Sequence, residues 1–512
     1  MEDQTSSNTW REIFRAQFWL RRRIHLVLFI WAAIYLPALG SLEIRGEEGR
    51  RILPGVTMND SGDYLVPRVG SRAYFRKPPL INWITAASFK ITGVRNEWTA
   101  RLPSALAILS VAIALLRLGG APLGPTGSLL AAIIWLTNFG NIEKGRLIEI
   151  EAIYVSLTAL AFIFWMAAYR AGKTGQRLWF LPAIFLGAAM LAKGPLPHLL
   201  FFYGPVIALL WHDRKLALLA TRAHATALLI MFGIFIAWAL PAFLLSDSTH
   251  VAHVWTRQFS GRISGESFDF RSWITNIPRS LAYLLPWLPL ALLLPGRQAS
   301  SLSRQAGVPP ADPALSTFET PALRQNRALL AGILIPFFAV DLMSGALPRF
   351  AMPALGPAVW WFGELLAQEN LHWPHWLGGK PFHPRLRDHV FLIGTALTCI
   401  VMIGYATLVV PHLYRGEKIK THARQINAVV PRDVPLYAVD PQYQPYLFYV
   451  NAPVRYASSI DELPPDTNFF LVQPANEREA ETTRHWSPAR TQLVLRIQDY
   501  RNHEVILFSV QR

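Results

Sequence analysis

Two carboxylates stand side by side at Glu47 and Glu48, and Arg50 and Arg51 follow within the same short segment, Glu43-Ile-Arg-Gly-Glu-Glu-Gly-Arg-Arg. Further on, Lys77 precedes Pro78 and Pro79. Two prolines fix the backbone and remove two donors, so the lysine ammonium is held at a defined point instead of trailing in solvent. A carboxylate can take a proton and fixed cations can hold an anion; together they suit a displacement whose leaving group is anionic. The plain reading of such a segment, a solvated salt-bridged turn, stands beside this one. Leu80, Trp83, Ile84, Ala87 and Phe89 then give a roughly helical apolar face that can lie in a membrane interface.

Other charged residues sit at the edges of apolar runs. In Gly145-Arg-Leu-Ile-Glu149-Ile-Glu151-Ala the two acids are two residues apart, which on a helix sends them to different faces. Glu151 stands immediately before an apolar run, where the helix dipole also favours an acid. Lys193-Gly194-Pro195 interrupts two apolar runs, and a snorkelling interfacial lysine is its plain reading. Leu347-Pro348-Arg349-Phe350-Ala-Met-Pro353 holds an arginine between prolines, a plausible phosphate ligand.

The elements that must position these groups are membrane spans. Of 512 residues 52% are hydrophobic and 16% charged, with mean hydropathy +0.26. A soluble chain carries about 25% charge, so an ordinary soluble enzyme is excluded. Apolar stretches run from Ile24 to about Leu42, then Leu102–Leu118, Gly127–Phe139, Ala152–Ala168, Trp179–Ala192, Leu199–Trp211, Ala225–Leu245, Ser280–Leu294, Ala328–Met343, Phe350–Leu366 and Val390–Val410. The expected fold class is an α-helical polytopic membrane protein with about 11–13 transmembrane helices. Several spans are short and interrupted by proline, which is tolerated where other helices or a polar cavity satisfy the freed backbone groups.

Basic residues flanking the spans place residues 1–23 in the cytoplasm and the first loop, 43–101, on the outer side. That loop is nonetheless rich in Arg and Lys, which calls for an anionic ligand. Residues 298–320, rich in Ser, Pro and Ala, read as a flexible cytoplasmic linker. After residue 411 short β-rich runs appear at Val434–Val439, Tyr446–Tyr449, Asn468–Gln473, Gln492–Gln498 and Glu504–Gln511, the signature of a small soluble α/β domain over 412–512. The tail holds 12 basic and 11 acidic residues, so nearly all of the +16 formal charge lies upstream and nucleic acid is not an expected partner. The one cysteine, Cys399, lies in an apolar run and supports no disulfide framework.

Taken in order, the acid-acid-x-Arg of Glu47 to Arg50, a following Met, Gly62-Asp-Tyr-Leu-Val-Pro67, Tyr74-Phe-Arg-Lys-Pro-Pro-Leu80 with Trp83, and Ala100-Arg-Leu-Pro-Ser-Ala105 resemble the polyprenyl-phosphate-sugar-dependent membrane glycosyltransferases of the GT-C class. Within that class the pattern is similar to bacterial lipid A aminoarabinose transferases and dolichyl-phosphate-mannose protein mannosyltransferases. The topological likeness covers residues 24–411, with the specific motifs in 43–106. The resemblance implies a first-loop carboxylate as catalytic base, which maps to Glu47; most members have Asp there, and Glu48 competes for the role. It implies Glu151 as a supporting carboxylate, and Lys77, Arg50, Arg349, Lys193 and, by a weaker match, Arg262 as donor-phosphate ligands. Some members pair histidines with a Glu immediately before the Lys-Pro-Pro. Here that position is Arg76, so although His250 and His253 could share a helix face, no metal or other cofactor is expected.

The implied function is an inverting hexosyl- or pentosyltransferase moving a sugar from a polyprenyl (undecaprenyl-type) phosphate to a lipid A, glycan or protein acceptor. The implied location is the bacterial inner membrane, with active site and C-terminal domain periplasmic and membrane lipids as partners. A transporter or flippase of an anionic polyprenyl lipid is the alternative. Transporters usually carry ionisable residues near the bilayer midplane, whereas these charges gather at the rim.

Overall fold

The structure, a computed structural model, describes residues 20–195, 197–246, 256, 268–295, 321–441, 443–486, 490–498 and 504–511. Arg262, His250, His253 and the 298–320 linker therefore lie outside the described residues.

Among the described residues four helices are long and apolar enough to cross a membrane: Glu97–Leu118, Ile150–Arg170, Arg222–Leu244 and Pro384–Tyr414. Shorter apolar helices at Gly124–Thr137, Gln176–Lys193, Pro197–His212 and Leu355–Leu366, with Pro321–Asp341, complete the bundle. The Glu97–Leu118 helix starts at a capping box: the Asn96 side chain accepts from the Thr99 N–H while the Thr99 hydroxyl accepts from the Asn96 N–H. The Ile150–Arg170 helix is central, 78% of its apolar window being buried, and it packs against the Glu97–Leu118, Gln176–Lys193 and Leu355–Leu366 helices. Gly356 makes the last contact close: a Cβ there would lie 2.7 Å from the Ala159 Cα. Arg222–Leu244 and Pro384–Tyr414 are only 22% and 11% buried, with large apolar side chains such as Leu229 and Leu392 turned outward. Apolar surface on that scale is the mark of a membrane-facing wall.

Three expectations are corrected. Ser280–Leu294 is not one span: a helix at Asn276–Ala282 stops and only a 3-10 turn at Leu288–Leu292 follows. Pro286 and Pro289 each remove an N–H and crowd the preceding turn, so a continuous helix cannot pass. The Tyr446–Tyr449 run is a 3-10 turn, Pro445–Tyr449, begun by its proline; the strand sits instead at Val454–Ala457. The first helix covers residues 20–35 and ends in turns at Pro37, short of the expected Leu42.

The C-terminal region forms a five-stranded sheet. Its strands are β1 (Leu436–Val439), β2 (Val454–Ala457), β3 (Phe469–Val472), β4 (Arg490–Gln498) and β5 (Glu504–Gln511), in the order β2-β1-β3-β5-β4. The first three are parallel to one another and the last two antiparallel. An amphipathic helix, Ile419–Asn427, packs beside the Pro445–Tyr449 turn with Ile419, Ala423 and Ile426 buried. The small soluble domain expected from the tail is present.

Candidate active site

The paired acids open a helix, Gly49–Ser61, of which Glu48 is the N-cap. Neighbouring residues at a helix start point in different directions, and the two carboxylates meet different surroundings. Glu48 is 2% exposed and accepts from Arg101 twice, Nε to Oε1 and Nη2 to Oε2, both at 2.8 Å. The same guanidinium donates to the carbonyls of Leu39, Leu42 and Glu43. Glu48 also accepts from the Ile148 N–H at 3.1 Å. It ties the end of the first helix, the first loop and the 145–151 segment together, leaving little acceptor capacity for a substrate. Glu47 keeps 37% of its side chain exposed, with Arg50 at 2.8 Å and Arg51 at 3.6 Å.

Arg51 also fixes the strip that carries Lys77. Its Nη1 donates to the Tyr74 hydroxyl at 3.0 Å, and its carbonyl accepts from the Asn82 amide at 2.8 Å. Lys77 lies between those two anchors, half-buried and followed by the buried Pro78 and Pro79. The helix read from the Leu80 to Phe89 pattern is observed at Leu80–Thr92, although the face it buries is Ile81, Asn82, Thr85, Ala86 and Phe89.

Glu151, in the first turn of the central helix, is 5% exposed. Lys193 Nζ lies 3.2 Å and Arg349 Nε 3.6 Å from its Oε1. The Lys193 ammonium also stands over the rings of Tyr154 at 4.9 Å and Phe350 at 5.0 Å, a setting that holds a cation by its π faces. Arg349 keeps 38% of its side chain exposed. The structure thus brings Glu151, Lys193 and Arg349 into one cluster and Glu47, Arg50 and Arg51 into another, with the Ile148-to-Glu48 hydrogen bond between them. Glu149, the N-cap of the central helix, pairs with Lys144 at 3.0 Å. Burial pushes the Glu149 carboxyl up from the usual carboxylate range, against the pull of Lys144.

Directly after Arg349 the chain lines an apolar cavity of about 90 Å³ with Ala351 and Met352, closed by Tyr283, Ile333, Phe337 and Trp361. Ser280, at its rim, donates to the Pro348 carbonyl at 3.2 Å. Among the described residues no group of three His, Cys, Asp or Glu stands close enough to hold a metal.

Sequence reasoning missed the partner of Glu48. Arg101 was in view inside Ala-Arg-Leu-Pro-Ser-Ala, but an arginine in an apolar run has no spacing rule that names its partner. The aromatic box around Lys193 was also missed, because Tyr154 and Phe350 come from segments far apart in the chain.

A charged rim thus stands over the helical bundle, beside the C-terminal sheet domain. The structure of ArnT from Cupriavidus metallidurans bound to undecaprenyl phosphate superposes with a TM-score of 0.64, covering 96% of this chain and 98% of that one at 16% identity. At that identity the likeness shows the fold. A family model described as dolichyl-phosphate-mannose-protein mannosyltransferase matches residues 76–240. The undecaprenyl phosphate-alpha-4-amino-4-deoxy-L-arabinose arabinosyl transferases of Shewanella sediminis and Pseudomonas savastanoi are 24% and 25% identical over 337 and 321 residues. These matches take in 65% and 61% of this chain and 57% and 55% of the relatives, so the chain spans little more than half the length of the curated relatives it matches. The resemblance read from the loop motifs is borne out: the chain is similar to GT-C glycosyltransferases, and among them to the lipid A aminoarabinose transferases.

Proposed function

We propose that the protein is an inverting glycosyltransferase that moves a sugar from a polyprenyl phosphate to a hydroxyl acceptor of lipid A type. The observation that carries this reading is the setting of Glu47, an accessible carboxylate 2.8 Å from Arg50 on a loop hydrogen-bonded to the segment that bears Glu151. In the reaction the acceptor oxygen forms a bond to the anomeric carbon as the bond from that carbon to the phosphate oxygen breaks. The hydroxyl proton passes to Glu47, and the lipid phosphate departs with the electron pair of the broken bond. One direct displacement inverts the anomeric configuration. Arg50, Lys77 and Arg349 hold the developing phosphate charge, with Lys193 behind Arg349. Glu151 keeps those two cations together, and the apolar cavity beside Arg349 receives part of the prenyl chain. The arabinosyl transferase names of the relatives support a pentose-type sugar and a polyprenyl donor.

The location that fits is the inner membrane, with residues 24–411 as the membrane unit and 412–512 as a periplasmic domain. Glu47→Gln in vesicles supplied with a labelled polyprenyl-phosphate sugar tests the reading. Transfer should fall by roughly two to four orders of magnitude, the usual worth of a general base. Transfer at the wild-type rate in this variant and in Glu151→Gln would overturn it; lipid movement without a new glycosidic bond would point to transport.

A further inference from the structure

The C-terminal domain reaches the catalytic loop through one residue whose placement is specific. Tyr443, in the turn after β1, donates its hydroxyl to the Gly46 carbonyl, and its ring lies beneath the Arg50 guanidinium at 4.9 Å. It therefore touches the residue before Glu47 and the cation that Glu47 pairs with. The backbone is fitted to this contact: a Cβ at Gly49 would lie 2.6 Å from the Tyr443 hydroxyl and 3.0 Å from the Pro445 Cβ. Around it the domain grips the loop at both ends. Asp440 pairs with Arg72 at 2.7 Å, and the Tyr449 hydroxyl accepts from the Ile44 N–H at 2.6 Å and donates to Glu97 at 3.0 Å.

We propose that Tyr443 is a positioning residue for sugar transfer: its ring and hydroxyl fix the Arg50 guanidinium and the Gly46–Glu47 backbone so that cation and base face the donor phosphate together. The inference rests on the transferase reading above and gives the C-terminal domain a role in it. A guanidinium resting on an aromatic face keeps its N–H donors at the ring's edge, directed sideways and free to take a phosphate oxygen, whereas in water the same side chain samples many rotamers. The loop's own residues supply no such platform, since the partners shown for Arg50 are Glu47 and Tyr443.

The test is a double-mutant cycle on the full-length protein in vesicles, read as KM for the polyprenyl-phosphate sugar and kcat separately. Tyr443→Leu should raise donor KM roughly tenfold, in the range of a partly buried cation–π contact. Tyr443→Phe, which keeps the ring, should restore most of that loss. In an Arg50→Met background Tyr443→Leu should change donor KM by less than about twofold, because the cation it positions is gone. Equal, additive effects of Tyr443→Leu in both backgrounds would overturn the proposal, as would a Tyr443→Leu enzyme with wild-type constants. Should Glu47→Gln and Glu151→Gln both transfer sugar at the wild-type rate, the transferase reading fails; should Glu47→Gln be inactive while Tyr443→Leu is normal, only the positioning role falls.

Discussion

The Ile150–Arg170 helix carries a charge cluster at each end, about 30 Å apart by helical rise, and the two are built on different ratios. At the C-terminal end Arg170 meets a single carboxylate, and neutral side chains knit the network together. Arg170 Nη2 meets Glu364 at 2.5 Å and its Nη1 donates to Gln325, which donates in turn to Asp213 at 2.9 Å. Tyr169 donates to the same Asp213 carboxylate at 2.5 Å and Trp360 to Glu364 at 3.1 Å. At the N-terminal end Glu151 is shared by two cations, and across the Ile148 hydrogen bond Glu47 is shared by two more, while Lys144 just before the helix is itself shared by Glu143 and Glu149. A matched network locks helices together. A carboxylate shared by two cations, one of them 38% exposed, leaves positive charge to be offered to a ligand. On the reading proposed above, the contrast separates charge used for packing from charge left to an anion.

Glu48 makes the sharpest break in that scheme, because it lies at the ligand end yet is built like the packing end. Glu48→Gln takes the paired carboxylate from the Arg101 guanidinium, which is 4% exposed. Losing one partner of a buried pair costs about 3–5 kcal/mol, so the variant should lose its folded loop, seen as a fall in melting temperature and rapid proteolysis between residues 43 and 101. Glu47→Gln should show neither effect. A Glu48→Gln protein that melts like wild type but transfers no sugar would make Glu48 the base and reverse the assignment.

Substitutions at either end of the central helix give the next largest contrast. Arg349→Leu leaves Glu151 paired with Lys193, so melting should hardly move. Donor KM should rise roughly tenfold to a hundredfold, the worth of a hydrogen bond to a charged group. Glu364→Gln should do the opposite, costing about 1–3 kcal/mol of stability through the unpaired Arg170 while leaving donor KM unchanged in the folded fraction. A shift in donor KM with Glu364→Gln would mean that the two ends are not separate.

How much of this was legible in the sequence follows from the range of the forces involved. Spans such as Ala152–Ala168 and Leu199–Trp211 are written in local composition, and the observed helices at Ile150–Arg170 and Pro197–His212 extend them by only a turn or less. The Ser280–Leu294 span failed where two prolines overrode hydropathy. The family resemblance pointed to Glu47, Glu151, Lys193 and Arg349, but not that the last three meet, because they come from three segments of the chain. It also preferred Glu47 but left Glu48 as a competitor for the role. Only the approach of Arg101 and Ile148 divides them, and such long-range pairing has no period to read.

The smallest effect separates one carboxyl near each end of the helix by pH. At the ligand end burial pushes the Glu149 carboxyl up, so its contribution to stability is full below the ordinary glutamate value of about 4.3 and is lost as pH rises through its folded value. At the packing end burial also acts against charge on Asp213, but hydrogen bonds from Tyr169 and His212 outweigh it and hold that carboxyl below its usual range. Its contribution is full above about pH 3.9 and is lost as pH falls through its lower folded value. Glu149→Gln should therefore melt above wild type at neutral pH and converge with it in acid. Asp213→Asn should melt below wild type at neutral pH and also converge in acid, each difference being on the order of a degree or two. Thermal unfolding in detergent between about pH 3 and pH 7 reads both signs in one series. Two variants shifted in the same direction at neutral pH would show that burial does not prevail at Glu149 while hydrogen bonding prevails at Asp213.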